Sequence, residues 1–185
     1  WSNSSPDWDE VISTFPRGEL RDYLGMVSTG EVSIAVKPQY IDKLPRIFDG
    51  EVRELLARVD DRGEMENYTQ LMGIAHILDR KLGDLSGGEL QRVAICATLL
   101  KEADVYFFDE PSSYLDIYER MRMVGVVRGL AEKGKRVLVV EHDLAILDVL
   151  CDLIHVIYGE RSAYGIFTPP RSTRTAINAY LDGFL

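Results

Sequence analysis

The residues most able to do chemistry fall in four stretches. Leu85-Ser86-Gly87-Gly88-Glu89-Leu90-Gln91-Arg92 reads as a helix start, its apolar side running on through Val93, Ala94, Ala97 and Leu100. Ser86 and Glu89 fit a capping box, in which each side chain satisfies a backbone N–H of the first turn. Gly87 and Gly88 do not suit a helix built for stability alone, since each costs about 1 kcal/mol relative to alanine. Glycine suits close approach to the backbone. Free N–H groups at a helix tip beside a serine hydroxyl attract anions, phosphate above all. A plain cap and a phosphate site are the two readings of these residues taken alone.

The second stretch is Val105-Tyr106-Phe107-Phe108-Asp109-Glu110-Pro111. Its apolar run reads as a strand buried on both faces of a parallel sheet. Asp109 and Glu110 then fall at the carboxyl end of that strand, where ligands of open α/β sheets gather. By themselves two acids and a proline also simply end a strand. The third stretch, Ser112-Ser113-Tyr114-Leu115-Asp116, leads into a helix that Asp116 can cap. The fourth, Val140-Glu141-His142-Asp143, ends another strand, and Asp143 can cap the helix Leu144–Leu150. Gln39 follows a strand-ending proline and in isolation is an ordinary loop residue.

The elements that must position these groups follow from periodicity. Two short helices are expected near 7–15 and 17–27. Glu31–Lys37 alternates polar with apolar residues, which predicts a strand with Val32, Ile34 and Val36 toward the core. From Ile41 to Asp84 the pattern is helical, with Val52, Leu55, Leu56 and Val59 on one face and Gly73 between two further short helices. His76 reads as a surface or half-buried helix residue and is assigned no function. A long helix over about 117–133 places Met121, Val124, Val127 and Leu130 or Ala131 inward. Val137–Val140 reads as a buried strand, Leu153–Tyr158 as another that includes a structural His155, and Tyr164–Thr168 as a further one. Pro169-Pro170 breaks the chain, and a last helix from Thr173 carries Ile177, Tyr180, Leu181 and Phe184 on one stripe.

At 185 residues the chain suits one domain with room for a smaller subdomain and a sizeable core. A net charge of −9 argues against a broad nucleic-acid-binding face. No apolar run reaches the length of a membrane span and no signal peptide is recognised, so no membrane partner is expected. Cys96 and Cys151 lie in apolar stretches and read as small core residues, with a reduced, cytoplasmic compartment as the default.

The order and spacing of the four stretches resemble the ABC-type ATPases: signature motif, Walker B with its glutamate, D-loop and switch histidine. The resemblance implies an α/β fold, a partial P-loop NTPase-like domain with a mostly parallel sheet flanked by helices and a helical subdomain. Residues 1–36 and 102–168 would form the ATPase core lobe, 37–101 the helical subdomain ending in the signature helix, and 169–185 a C-terminal helix at the start of a hinge. By the same resemblance Asp109 holds Mg²⁺ through water, and Gln39 reaches the Mg²⁺ and the attacking water. Glu110 acts as general base or water-orienting group, and His142 bonds the γ-phosphate. Ser86, Gly87, Gly88 and Glu89 cap ATP bound to a second ATPase domain, and Asp116 belongs to the loop that crosses to that partner.

A Walker A loop, G-x-x-x-x-G-K-[ST] between a strand and a helix, is not found among these residues. Gly129, Gly134 and Lys135 mimic its spacing, but Arg136 stands at the hydroxyl position and the segment closes a helix instead of opening one. The family places its phosphate loop before the glutamine loop, so it is expected upstream of residue 1, and these residues alone are expected to bind ATP poorly and not to turn it over.

Lys37-Pro38-Gln39-Tyr40-Ile41-Asp42-Lys43-Leu44-Pro45, the run Asp109 to Asp116, the segment Ile154 to Glu160 and the ending Ala176 to Leu185 resemble more narrowly the archaeal and eukaryotic ribosome-recycling ATPases, the RNase L inhibitor family. This implies the first nucleotide-binding domain of a twin ATPase that acts in translation. Its partners would be ATP or ADP, a second ATPase domain, ribosomal subunits and a release or recycling factor. The family's Fe–S domain would precede this segment, which has no cysteine cluster to hold such a cofactor. Two other readings are a DNA-repair or chromosome-organising ATPase head, against which no heptad repeat precedes Leu85, and a non-catalytic interaction module.

Overall fold

The computed structural model describes residues 7–160 and 164–183. Two short helices, α1 (Trp8–Ser13) and α2 (Glu19–Ser28), precede strand β1 (Ile34–Lys37). A helical stretch follows: α3 (Leu44–Ile47), α4 (Val52–Val59), α5 (Met65–Leu71) and the long α6 (Gly87–Leu100). Then come β2 (Val105–Asp109), α7 (Ile117–Glu132), β3 (Arg136–Val140) and α8 (Leu144–Leu150). Short strands β4 (Leu153–Ile154), β5 (Ile157–Glu160), β6 (Tyr164–Phe167) and β7 (Arg171–Ser172) lead to α9 (Thr173–Leu181).

The strands β1, β2 and β3 form a parallel sheet in that order, with Ala35 beside Tyr106 and Phe108 beside Val139. Helix α6 is the hub. It packs on α4 and α5 to one side and on β1 and β2 to the other, so Val93, Ile95, Cys96, Leu99 and Leu100 are wholly buried. Its two apolar sides explain why the 93–100 stretch is apolar almost all round.

The face of the sheet toward α6 carries Ala35, Lys37, Tyr106 and Phe108, all buried. The expected core face of β1 is therefore reversed: Ile34 and Val36 are each 53% exposed, and the same open face continues through Leu138 and Val140 on β3. Alternation marks two sets of side chains in a strand, and a slip of one residue exchanges them. Here the small Ala35 admits α6 closely, and Lys37 turns inward because its ammonium reaches backbone carbonyls at the end of β2. For the same reason β3 is half-exposed instead of fully buried.

Three further expectations are corrected. In α7 the inward residues are Met123, Val124, Val127 and Leu130, while Met121 is exposed. The Leu153–Tyr158 run is two strands, not one. β4 pairs antiparallel with β7 and β5 with β6, and between them His155 Nδ1 pairs with the Thr168 carbonyl at 2.8 Å. In α9 Thr173 and Ala176 face inward, against α8 and β4, leaving Tyr180 and Leu181 exposed. Phe184 lies outside the described residues. No helix among the described residues is long and apolar enough to cross a membrane.

Candidate functional site

The acid pair stands where β2 ends. Glu110 has φ +45°, in the left-handed region that a non-glycine residue enters only when its surroundings hold it there. Those surroundings are specific. The Glu110 N–H donates to the Val140 carbonyl at 2.8 Å. The Glu110 carbonyl accepts from Gln91 Nε2 at 2.9 Å and from Lys37 Nζ at 3.2 Å. Its carboxylate accepts from Gln39 Nε2 at 2.8 Å and from Ser113 Oγ at 3.3 Å. The structure thus brings Gln39 from the loop after β1 onto Glu110, as a site built across two neighbouring strands requires.

Gln39, Glu110, Ser112, Ser113, Arg120 and His142 line one open cleft of about 370 Å³. His142 is exposed, its ring turned to solvent. Its backbone N–H donates to Glu141 Oε1 at 2.9 Å. The Glu141 side chain is fully buried, and its other oxygen accepts from the Ser112 N–H at 3.3 Å. One carboxylate therefore ties the loop after β2 to the loop after β3. Asp143 caps α8 by accepting from the Ala145 and Ile146 N–H groups, and pairs with Arg120 Nη1 at 2.7 Å. Arg120 Nε also donates to the Leu115 carbonyl at 3.0 Å.

The helix tip of α6 lies outside the cleft's lining but abuts it at Tyr114, which lines the cleft. Ser86 and Gly87 are exposed. The capping box forms as expected: Glu89 Oε2 accepts from the Ser86 N–H and hydroxyl, each at 2.8 Å, and Arg80 Nη1 donates to Glu89 Oε1 at 2.8 Å. These Ser86 bonds, seconded by Arg80 and opposed by partial burial, hold the Glu89 carboxyl below the usual glutamate range. Its carboxylate faces back into the cap, so it acts on the tip through Ser86. The glycines have a second reason to be glycines. A Cβ on residue 88 would stand 3.0 Å from the Tyr114 carbonyl oxygen, and one on residue 87 would stand 3.2 Å from the Tyr114 ring. The close neighbour in this chain is its own loop, where Tyr114 has φ +64°.

Asp116 accepts from the Glu119 N–H at 2.9 Å, and the two form the capping box of α7. Glu119 pairs with Arg92 Nη2 at 3.0 Å, and Arg92 Nη1 donates to the Gly73 carbonyl at 3.1 Å. The helical stretch, the α6 tip and the 112–116 loop are thereby joined by one arginine. Gln39, Glu110 and His142 meet in the cleft, while Asp109, Ser86, Gly87, Gly88, Glu89 and Asp116 lie outside its lining.

Sequence reasoning passed over Lys37, Gln91, Arg120 and Glu141. The signal for Lys37 was its place two residues before Gln39 on an otherwise apolar strand. Burial pushes its ammonium down to about 8, against the pull of the Asp109, Glu110 and Glu141 carboxylates. Asp109 and Gln39 are hard oxygen donors of the kind Mg²⁺ prefers when substrate phosphates complete its shell. Among the described residues no group of three or more His, Cys, Asp or Glu is placed to hold a metal without such help.

Comparison with known proteins places this arrangement. The ABC transporter family model matches residues 15–113. An uncharacterized ABC transporter ATP-binding protein of Methanocaldococcus jannaschii is 46% identical over 183 residues, 99% of this chain and 30% of the relative. Translation initiation factor RLI1 of Saccharomyces cerevisiae is 41% identical over 185 residues, 97% of this chain and 30% of the relative. The crystal structure of an archaeal ribosome recycling factor in complex with an archaeal ribosomal stalk protein superposes with a TM-score of 0.93 at 51% identity, covering 98% of this chain and 35% of that one. The chain spans about 30% of the length of the curated relatives it matches. With that family model matching more than half of its residues, this chain belongs to the ABC transporter family.

Proposed function

We propose that this chain is an ATP-binding and ATP-hydrolysing domain of a twin ATPase that acts in translation and ribosome recycling. The observation that carries the reading is the bond from Gln39 to Glu110 in a cleft at the carboxyl end of the sheet, with Ser86 and Gly87 of the α6 tip exposed beyond that cleft's lining. That separation fits two ATPase domains set head to tail, each using the cleft of one and the tip of the other. The likeness to the archaeal recycling factor and to RLI1 supports the translational setting, with ribosomal subunits and a release or recycling factor as partners. The lobe boundaries at 36, 101 and 168 belong to the same proposal.

In this reading Asp109 and Gln39 would hold Mg²⁺, which would supply positive charge to neutralise the phosphate oxygens. Glu110 accepts a proton from, or orients, the attacking water, with Gln39 and Ser113 fixing its carboxylate. His142, its exposed ring 3.6 Å from Glu141 Oε1 through Nδ1, donates to the γ-phosphate. The Gly87 and Gly88 N–H groups donate to the phosphates of the partner domain's nucleotide, and Ser86 joins them when its hydroxyl turns from Glu89, to which it donates here, toward the phosphate. Asp116 steers the crossing loop.

In the intact protein that carries this chain, Glu110→Gln is expected to leave ATP bound while turnover falls by at least about a hundredfold, the scale on which general bases act. Single-turnover measurement of phosphate release tests it, and wild-type turnover in that variant removes Glu110 from the mechanism.

A further inference from the structure

Two groups that are costly to bury converge on a single backbone carbonyl. Lys37 is fully buried and donates to the carbonyls of Asp109, at 2.7 Å, and of Glu110, at 3.2 Å. A buried ammonium whose hydrogen-bond partners are neutral carbonyls, with the Asp109, Glu110 and Glu141 carboxylates attracting it without a hydrogen bond, is only partly compensated for its lost water. Gln91, also fully buried, donates to the carbonyls of Glu110 and Pro111 at 2.9 and 3.0 Å. Its Oε1 is left buried without a hydrogen-bond partner among the described residues. Turning the amide over would set that oxygen against two carbonyls, so the orphan acceptor follows from the two bonds the nitrogen makes. Stability alone would favour apolar side chains at both places.

What the two share is Glu110, whose backbone is left-handed at φ +45°. Strained backbone persists where its surroundings over-determine it. Lys37 also ends the strand that carries Gln39 two residues later, so its bonds make the glutamine loop and the acid pair one body. Gln39 Nε2 and Glu110 Oε1 then keep their 2.8 Å contact.

We propose that Lys37, seconded by Gln91, is a positioning residue for the reaction assigned to Glu110: it locks the Glu110 backbone in its left-handed conformation and binds the glutamine loop to the acid pair. The inference rests on the reading of Glu110 given above. The Lys37 ammonium is engaged by the Asp109 and Glu110 carbonyls, so it acts through the main chain.

The test uses the intact protein with Lys37→Met, which keeps the stem and removes the ammonium. The expected result is a kcat for ATP at least about tenfold lower with KM within about threefold, because a displacement of the reacting geometry by even an ångström costs on the order of a hundredfold. The melting temperature is expected to stay within about 5 °C of wild type, and exchange of the Glu110 N–H with solvent to quicken at least about tenfold. Glu110→Gln is measured in parallel. Wild-type turnover in Glu110→Gln overturns the reading of Glu110, whatever Lys37→Met does. Slow Glu110→Gln with wild-type kcat in Lys37→Met overturns the present inference alone. A fall in kcat matched by a rise in KM and a large drop in melting temperature also overturns it, as does unchanged exchange at Glu110. If Lys37→Met does not fold, Gln91→Leu removes the other donor to the same carbonyl; a lower kcat at unchanged KM is then expected, and wild-type kcat there overturns the inference.

Discussion

The carbonyl oxygen of Tyr114 lies 3.0 Å from the point where a Cβ on residue 88 would stand. Gly88 is therefore held to glycine from inside the chain. The Tyr114 backbone has little room to retreat, because φ is +64° there, the Leu115 N–H donates to the Ser112 carbonyl at 3.3 Å, and Arg120 grips the Leu115 carbonyl. Alanine at position 88 gains about 1 kcal/mol of helix propensity and loses about 1–3 kcal/mol to overpacking. A net loss of about 1 kcal/mol is expected, seen as a melting temperature lower by about 2–4 °C. A variant more stable than wild type would show that the loop yields freely.

The cap of α6 is sensitive to acid. Glu89 has a folded pKa below its ordinary 4.5, set first by the Ser86 N–H and hydroxyl and then by Arg80. A depressed carboxylate adds stability that is fully present above about 4.5 and is lost as pH falls through the lower folded value. Glu89→Gln removes that pH-dependent part. Denaturant titrations from about pH 7 to about pH 3 should show wild type ahead by about 1 kcal/mol at the upper end, the worth of a good cap, with the gap closing at the acid end. A gap that widens toward acid contradicts the assignment.

Arg120 couples two loops of the cleft, one through the Leu115 carbonyl and one through Asp143. Both members of the ion pair are about one-third exposed, so the pair is worth on the order of 0.5–1 kcal/mol. Arg120→Gln should lower the melting temperature by about 2–4 °C. Asp143→Asn keeps an oxygen for the α8 cap while losing the charge. The double variant should be less destabilised than the sum of the singles, with a coupling of about 0.5 kcal/mol or more; strict additivity would mean that the two side chains do not cooperate.

Calorimetry with ATP and Mg²⁺ on a polypeptide of these 185 residues should detect only weak binding, about millimolar or weaker. In the proposed reading the cleft groups orient and the helix tip caps, and neither supplies the ring of backbone donors that a phosphate loop provides. Micromolar affinity would show that the cleft residues bind nucleotide unaided.

Local chemistry was legible in the sequence wherever the interaction is local. Ser86 with Glu89, Asp116 with Glu119 and Asp143 with the first turn of α8 are bonds between residues two or three positions apart, and residue type and spacing determine them. The motif order from Gln39 to His142 likewise implied the family, since the parallel strands that bear these groups must deliver their carboxyl ends to one edge. Which side of β1 turns inward was not legible. Alternation is symmetric, and only the packing of α6 against Ala35 and the reach of Lys37 to the end of β2 decide it. The roles of Lys37, Gln91 and Glu141 also belong to the tertiary structure alone, because each acts on main-chain groups that the fold brings to it from 19 to 73 positions away. A side chain that bonds a distant carbonyl or N–H leaves no periodicity and no motif, since its partner is common to every residue.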